Sequence, residues 1–156
     1  MPTSATPIGI AVVEHDERYL VGTRRDDAPL PGLAEFPGGK CHPGETPKDC
    51  VVRECWEETG LEVAAVELLL SRSYRYDHDT LDLHFWLCRP VCPQQVCKEM
   101  RGFCWVPVGE LGSLTFPEAN GPVISRLVAL SQEGLRQLIP ESQPGGVGTK
   151  QGMSQR

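Results

Sequence analysis

The segment from Gly38 to Leu61 constrains the fold most strongly, because it contains a short helix whose start and end are both marked. Thr46 can act as N-cap, Pro47 suits the first helical position, and Asp49 stands where a capping box places an acceptor. Gly60 stands where helices commonly end in the left-handed conformation. The segment therefore predicts a helix of about three turns, close to the average for globular proteins.

Three glutamates share one face of this predicted helix. At about 100° per residue, offsets of three and four positions place Glu54, Glu57 and Glu58 within an arc of roughly 100°. Like charges this close reduce helix stability, and Arg53 offsets only part of that through Glu57, four residues later. Four less polar residues are expected to pack on a core from the other side: Val51, Val52, Cys55 and Trp56.

The acidic face has two interpretations. Charged residues on an exposed helix face are most often simply solvated. Alternatively, a divalent cation neutralises them, since carboxylate oxygens with room for water suit Mg²⁺, which is usually shared with substrate phosphates. The residues around the helix favour the second interpretation.

The spacing of the whole segment follows a known pattern. Gly39, five residues, Glu45 and seven residues are followed by RECWEETGL at positions 53–61. This resembles the Nudix box, in which G, five residues, E and seven residues precede R-E-U-x-E-E-x-G-U with U apolar. Every fixed position is filled, and Cys55 is the least typical apolar choice. So many fixed positions over this span rarely arise by chance.

Length and charge restrict the class of protein. A chain of 156 residues fits one domain with a substantial core. The net charge of −6 argues against nonspecific binding to nucleic acid, which needs a basic surface. A negative protein that handles a nucleotide needs local cations, and a bound metal is the obvious supplier.

The seven cysteines contain no C-x-x-C pair, so neither a zinc site nor a disulfide framework is expected. The N-terminus lacks the features of a signal peptide, and no apolar run is long enough for a membrane helix. We expect a reduced, cytoplasmic protein with a small-molecule substrate and with no nucleic acid, membrane or protein partner.

The order of elements predicts a mixed α/β (α+β) fold with a mixed sheet sandwiched between helices. Strands are predicted at residues 8–13, 18–23, 63–76, 81–88 and 103–108, and residues 92–100 as a polar connection. Residues 111–120 are predicted as a loop, and Asn120 as the N-cap of a helix over 123–130 in which Val123, Leu127 and Leu130 form one face. The domain is expected to span residues 1–139, followed by a disordered tail at 140–156 that is rich in Gly, Ser and Gln.

Beyond the box, the chain resembles the MutT branch of the Nudix family, which removes damaged nucleotides, across most of residues 8–130. The similar segments include EFPGGK at 35–40, HFWL at 84–87 and FPEANGPVI at 116–124. The resemblance implies the Nudix fold and five metal ligands: the Gly38 carbonyl and the carboxylates of Glu54, Glu57, Glu58 and Glu99. It also implies that Phe36 lies against the base, that Asn120 reads an oxidised guanine, and that Arg24 contacts the substrate.

Several of these residues have a structural alternative. Arg24 closes a predicted strand, where an arginine is either solvated or a phosphate clamp. Lys40 follows paired glycines that allow close approach to a ligand, and it can meet a phosphate. Asn120 can simply cap the last helix. The acidic stretch 77–79 and Pro29 depart from the MutT pattern and leave the base preference open.

The resemblance implies hydrolysis of a nucleoside triphosphate to its monophosphate and pyrophosphate with Mg²⁺, for which Mn²⁺ can substitute. Glu54 or Glu99 takes the proton, Arg53 orients a carboxylate, and Glu45 supports the loop. The expected substrate is 8-oxo-dGTP, and CTP or a modified dCTP is the alternative within the family. An alternative of another class is a nucleotide sensor without catalysis. Such sensors usually lack box carboxylates, whereas this chain keeps all of them.

Overall fold

The computed structural model describes residues 5–24, 26, 32–77 and 79–138. Its strands are β1 (Thr6–His15), β2 (Arg18–Thr23), β3 (Ala34–Glu35), β4 (Gly38–Lys40), β5 (Val63–Tyr76), β6 (Asp79–Pro90), β7 (Glu99–Met100) and β8 (Phe103–Pro107). Its helices are α1 (Pro47–Thr59), α2 (Val108–Leu111) and α3 (Gly121–Leu138), and 3₁₀ turns span Pro93–Gln95 and Glu118–Asn120. The predictions for Pro29, His78 and the tail at 140–156 concern residues outside this part of the chain.

The strands form one eight-stranded mixed sheet in the order β5-β6-β1-β2-β8-β7, with β3 paired to β2 and β4 paired to β1. Strand β1 is central, since it runs parallel to β6 and antiparallel to both β2 and β4. The glycines of β4 lie opposite β1, with Gly39 facing Gly9 and Gly38 facing Ile10. The predicted mixed sheet is confirmed.

Two apolar clusters cover the two faces of this sheet. Alternation along β1 sends Val12 into one cluster and Ala11 and Val13 into the other. The first cluster includes residues from α2 and α3, namely Leu111, Val123 and Leu127. The second includes Val51 and Cys55 of α1. The sheet is therefore sandwiched between α1 on one side and α2 with α3 on the other, as predicted.

Helix α1 begins and ends where its sequence predicts. The Thr46 side chain accepts a hydrogen bond from the Asp49 backbone amide at 3.1 Å. At the other end, Gly60 has φ of 75° and its amide donates to the Trp56 carbonyl at 2.9 Å. Backbone groups at both ends of the helix therefore have local hydrogen-bond partners, so α1 begins and ends at the predicted residues.

The predicted burial of Trp56 is wrong, because its side chain is 53% exposed. The helix meets the sheet through a narrow stripe that includes Cys50, Val51 and Cys55, all fully buried. Val52 is partly buried and packs against the same cluster, as expected. Trp56 is rotated by about 100° from Cys55 on the helix, which carries it beyond that stripe.

The segment after β8 is more helical than predicted. The expected loop over 111–120 begins at the last residue of α2 and contains the 3₁₀ turn that ends at Asn120. The last helix begins at Gly121, directly after Asn120, and continues to Leu138. Val123 and Leu127 are buried, but Leu130 is 46% exposed, because the core ends about two turns into the helix. No helix among the described residues is long and apolar enough to cross a membrane.

Candidate active site

The acidic face of α1 lies against the glycine backbone of β4. The Gly38 amide donates to Glu58 Oε2 at 3.2 Å. A Cβ placed on Gly39 would lie only 2.6 Å from Glu54 Cδ, so the Glu54 carboxylate occupies the space that a side chain would fill. The structure therefore brings two of the four predicted carboxylate ligands, Glu54 and Glu58, against the backbone of Gly38 and Gly39.

Arg53 joins the box residues to one another. Its Nε and Nη2 donate to Glu45 at 2.8 Å each, and its Nη1 donates to Glu54 at 3.0 Å and to Glu57 at 3.1 Å. Its Nη2 also reaches the Lys40 carbonyl at 3.1 Å. The predicted pairing with Glu57 is present, but the fork-shaped contact with Glu45 is shorter and is the stronger type of charge-assisted bond.

This contact changes the acidity of both partners. Hydrogen bonds from Arg53, supported by the His42 amide, lower the pKa of Glu45 to about 2. The same bond to Glu45, with that to Glu54, raises the pKa of Arg53 above its usual value. Both groups are therefore charged throughout the neutral range. Glu45 holds the guanidinium in place, and the guanidinium holds Glu54 and Glu57 in turn.

The donors in this patch fit a hard divalent cation. Glu54, Glu57, Glu58 and the Gly38 carbonyl offer only oxygen atoms, which Mg²⁺ and Mn²⁺ prefer. Arg53 bonds one oxygen of Glu54 and one of Glu57, so each carboxylate has a second oxygen to offer. The Glu57 side chain is 53% exposed, which leaves room for water ligands and phosphate oxygens.

A cavity of about 490 Å³ opens beside this patch. Four of the predicted site residues line it, namely Arg24, Phe36, Gly38 and Asn120. Phe36 is buried and stacks on Phe116, with ring centroids 4.9 Å apart and planes 28° apart. Asn120 is also buried and its backbone amide donates to the Pro117 carbonyl, which holds it at the end of the 3₁₀ turn.

Two predicted site residues belong neither to the acidic face of α1 nor to the cavity lining. Lys40 is exposed at the end of β4 and does not line the cavity among the described residues. Glu99 is exposed on β7, and none of the ion pairs between described residues includes it. The turn after β7 does reach α1, because Arg101 Nη1 donates to the Glu57 carbonyl at 3.1 Å. Glu99 is therefore on a hairpin that touches the acidic helix, and its role as a ligand stays a prediction.

Sequence reasoning missed part of the cavity wall. Tyr74, Asp77 and Asp79 line it from the β5–β6 hairpin, and Glu35 lines it from β3. The unusual acidity of residues 77–79 was the available signal, but nothing local placed that turn beside the box.

A second group was also missed. Within the described ranges, the one set of three potential metal-ligating side chains with ligand atoms all within 4.8 Å is Cys41, Glu45 and Cys50. Thiols are soft ligands and Glu45 is already bound to Arg53, so this group does not suit Mg²⁺.

Comparison with known proteins agrees with this geometry. The family model of the NUDIX domain matches residues 4–127. The chain is 34% identical over 124 residues to an 8-oxo-dGTP diphosphatase of Escherichia coli, covering 79% of this chain and 96% of that protein. It is 28% identical over 120 residues to a CTP pyrophosphohydrolase of the same organism, covering 77% of this chain and 89% of that protein.

Solved structures show the same fold. The E. coli ORF135 protein matches with a TM-score of 0.64 at 24% identity, covering 89% of this chain and 96% of that chain. The MutT protein from Methanosarcina mazei Go1 matches with a TM-score of 0.65 at 20% identity, covering 86% of this chain and 98% of that chain.

Proposed function

Because this chain belongs to the Nudix family and is a pyrophosphohydrolase of its MutT branch, we propose that it hydrolyses 8-oxo-dGTP to 8-oxo-dGMP and pyrophosphate, using Mg²⁺. Mn²⁺ would serve in its place, since both ions take oxygen ligands. The proposed role is the removal of oxidised guanine nucleotides. The expected cytoplasmic location stays a prediction.

One observation carries this proposal. Gly38 and Gly39 line the cavity and also lie against Glu58 and Glu54, so the acidic face of α1 adjoins the cavity that the candidate base contacts line. A nucleotide whose phosphates lie near the glutamates can therefore place its base in this cavity. This combination suits a nucleotide better than either feature would alone.

The charged box residues, together with Gly38 and Glu99, have proposed roles in metal binding and catalysis. The metal ligands would be Glu54, Glu57, Glu58, Glu99 and the Gly38 carbonyl, and Mg²⁺ bound there would neutralise phosphate charge and acidify a water. Arg53 orients Glu54 and Glu57, and Glu45 fixes Arg53. Glu54 or Glu99 accepts the proton of the attacking water.

The cavity supplies the contacts for the nucleoside. Phe36, braced by Phe116, offers an aromatic wall beside the glycines of β4. The amide of Asn120 can both donate to and accept from a base edge. Arg24, where it lines the cavity, would neutralise phosphate charge. The proposed phosphate contact of Lys40 lacks this support, because its side chain is exposed outside the cavity lining.

The alternative substrate is CTP or a modified dCTP. It is favoured by the 28% identity to a CTP pyrophosphohydrolase across most of both chains. A panel of 8-oxo-dGTP, dGTP, CTP and 5-substituted dCTP, compared by kcat/KM, separates the two substrates. A kcat/KM for CTP above that for 8-oxo-dGTP would replace our proposal with the alternative.

The catalytic assignment is tested by Glu57→Gln. The substitution removes a charged ligand from an exposed position, so we expect kcat to fall by a factor on the order of 10² or more while the melting temperature changes little. The matched control is Glu62→Gln, just beyond the helix, which should keep full activity. A fully active or unfolded Glu57→Gln protein would count against the assignment.

A further inference from the structure

We propose that Asp77 and Asp79, which flank the tip of the β5–β6 hairpin, select a guanine-type base by accepting hydrogen bonds from its Watson–Crick edge. This inference rests on the proposed function and extends it, because it names the residues that would choose between guanine and cytosine nucleotides.

The cavity is acidic at one end. Asp77 and Asp79 line it from the β5–β6 hairpin, and Arg24 is the only cation among its described lining residues. Carboxylates repel phosphates, so these side chains do not suit the triphosphate. They suit hydrogen-bond donors, and the donors of a nucleotide are on its base and sugar.

The register of the sheet places the hairpin tip far from the acidic helix. Gly38 pairs with Ile10, and Ile10 pairs with Phe85 of β6. Asp79 lies six residues before Phe85 on the same strand, which corresponds to about 20 Å at roughly 3.3 Å per residue. That separation is comparable with the length of an extended nucleoside triphosphate, so phosphates at Gly38 direct the base toward the hairpin.

A second contact puts Asn120 at the same end of the cavity. Tyr74 pairs with Leu81 near the hairpin tip, and its hydroxyl donates to Glu118 Oε2 at 3.4 Å. Glu118 begins the 3₁₀ turn that ends at Asn120. The hairpin and this turn therefore enclose the base from two sides, with Leu81 and Leu83 as the apolar wall between them.

The pattern of donors on the bases decides which one fits. Guanine carries N1–H and the N2 amino group side by side, and this pair matches the two oxygens of a carboxylate. Adenine and cytosine place a ring acceptor beside the amino group, and thymine and uracil flank their N–H with two carbonyls. Each of those acceptors would face a carboxylate oxygen. Oxidation at C8 leaves the Watson–Crick edge of guanine nearly unchanged, so these aspartates select the base and not its damage.

Comparing dGTP with dITP tests the inference, because dITP lacks only the N2 amino group. In the wild-type protein with Mg²⁺, we expect kcat/KM for dGTP to exceed that for dITP by about 10-fold or more, as for one hydrogen bond to a charged acceptor. In Asp77→Asn, Asp79→Asn or the double variant, that ratio should fall toward one. CTP should gain relative to dGTP, because an asparagine amide matches a base edge with adjacent donor and acceptor.

The matched control is Asp82→Asn. Asp82 is on the same strand as Leu81 and Leu83, but its side chain is on the opposite face and bonds His84 at 3.1 Å. This variant should keep the wild-type ratio of kcat/KM for dGTP to that for dITP. Such a result would show that losing a negative charge on β6 is not by itself enough to change the base preference.

The outcomes separate the two proposals. A wild-type protein that releases pyrophosphate from dGTP, with a dGTP to dITP ratio unchanged in all three variants, overturns the role of the aspartates and leaves the proposed function standing. Hydrolysis of CTP without guanine nucleotides overturns both the guanine assignment and this inference. No release of pyrophosphate from any nucleoside triphosphate overturns the proposed function itself.

Discussion

Gly38 and Gly39 are neighbours in β4, yet a side chain at each would meet a different part of the molecule. A Cβ on Gly38 would lie 2.5 Å from the Gly9 backbone oxygen, which belongs to the central strand and cannot move aside. A Cβ on Gly39 would instead meet the Glu54 carboxylate, which can rotate away. The lack of a side chain at Gly38 is therefore needed for the packing of β4 on β1, and at Gly39 for the position of the Glu54 carboxylate.

Alanine at the two positions should separate stability from activity. We expect Gly38→Ala to lower the free energy of unfolding by about 1–3 kcal/mol, as overpacking does. Gly39→Ala should lower kcat/KM by about 10-fold or more with a smaller change in stability, because it displaces Glu54. Urea unfolding and steady-state kinetics measure both effects. Gly109→Ala is the control, since nothing lies within 4 Å of its added Cβ. Equal effects on stability at the two positions would contradict this distinction.

The pair formed by Glu45 and Arg53 predicts a dependence on pH. Hydrogen bonds from Arg53 lower the pKa of Glu45 from 4.5 to about 2 in the folded protein. Because the folded pKa lies below the unfolded one, the stabilisation is complete above about pH 4.5 and is lost as the pH falls toward 2. The melting temperature of Glu45→Gln should therefore lie below that of the wild type at pH 7, and the difference should narrow toward pH 2. A difference that stays constant over this range would contradict the pairing.

At the scale of the element, α1 is the part whose local sequence best predicts its structure. Thr46, Pro47 and Gly60 mark its ends through short-range hydrogen bonds and backbone preferences, and the structure has those ends. The positions of the three glutamates follow from the helical repeat alone. The ends of this helix and the spacing of its glutamates could therefore be predicted without knowledge of the rest of the chain.

The N-cap gives a direct test at this scale. Thr46→Ala removes the acceptor for the Asp49 amide and should lower the free energy of unfolding by about 1 kcal/mol. Thr46→Ser keeps a hydroxyl in the same place and should restore most of the loss. Chemical denaturation of the three proteins measures the effect, and equal stability of the alanine and serine variants would show that the cap does not contribute.

Local sequence does not predict burial where tertiary packing decides it. Trp56 is apolar and close to the buried stripe of α1, but the sheet covers only part of that helix face. Leu130 keeps the spacing of Val123 and Leu127, but α3 extends beyond the core there. In both cases the helical repeat gave the correct direction of the side chain around the helix. The extent of the surface that covers the helix could not be predicted from local sequence.

At the scale of the whole molecule, the fold class was predictable because the box and the order of strands identify it. The candidate site was predictable only in part. Arg24, Phe36, Gly38 and Asn120 do meet at one cavity. The hairpin residues that complete the cavity wall lie there because β6 pairs with β1 in a particular register. That register cannot be predicted from local sequence.

The central claim is that the acidic face of α1 serves hydrolysis of a nucleoside triphosphate to its monophosphate and pyrophosphate. Phosphorus NMR of the reaction of 8-oxo-dGTP with the purified protein follows every product directly. We predict 8-oxo-dGMP and pyrophosphate in equal amounts, formed only with Mg²⁺ or Mn²⁺ and greatly slowed by Glu57→Gln. Release of inorganic phosphate with a diphosphate, or turnover that is equally fast in Glu57→Gln, would contradict the account.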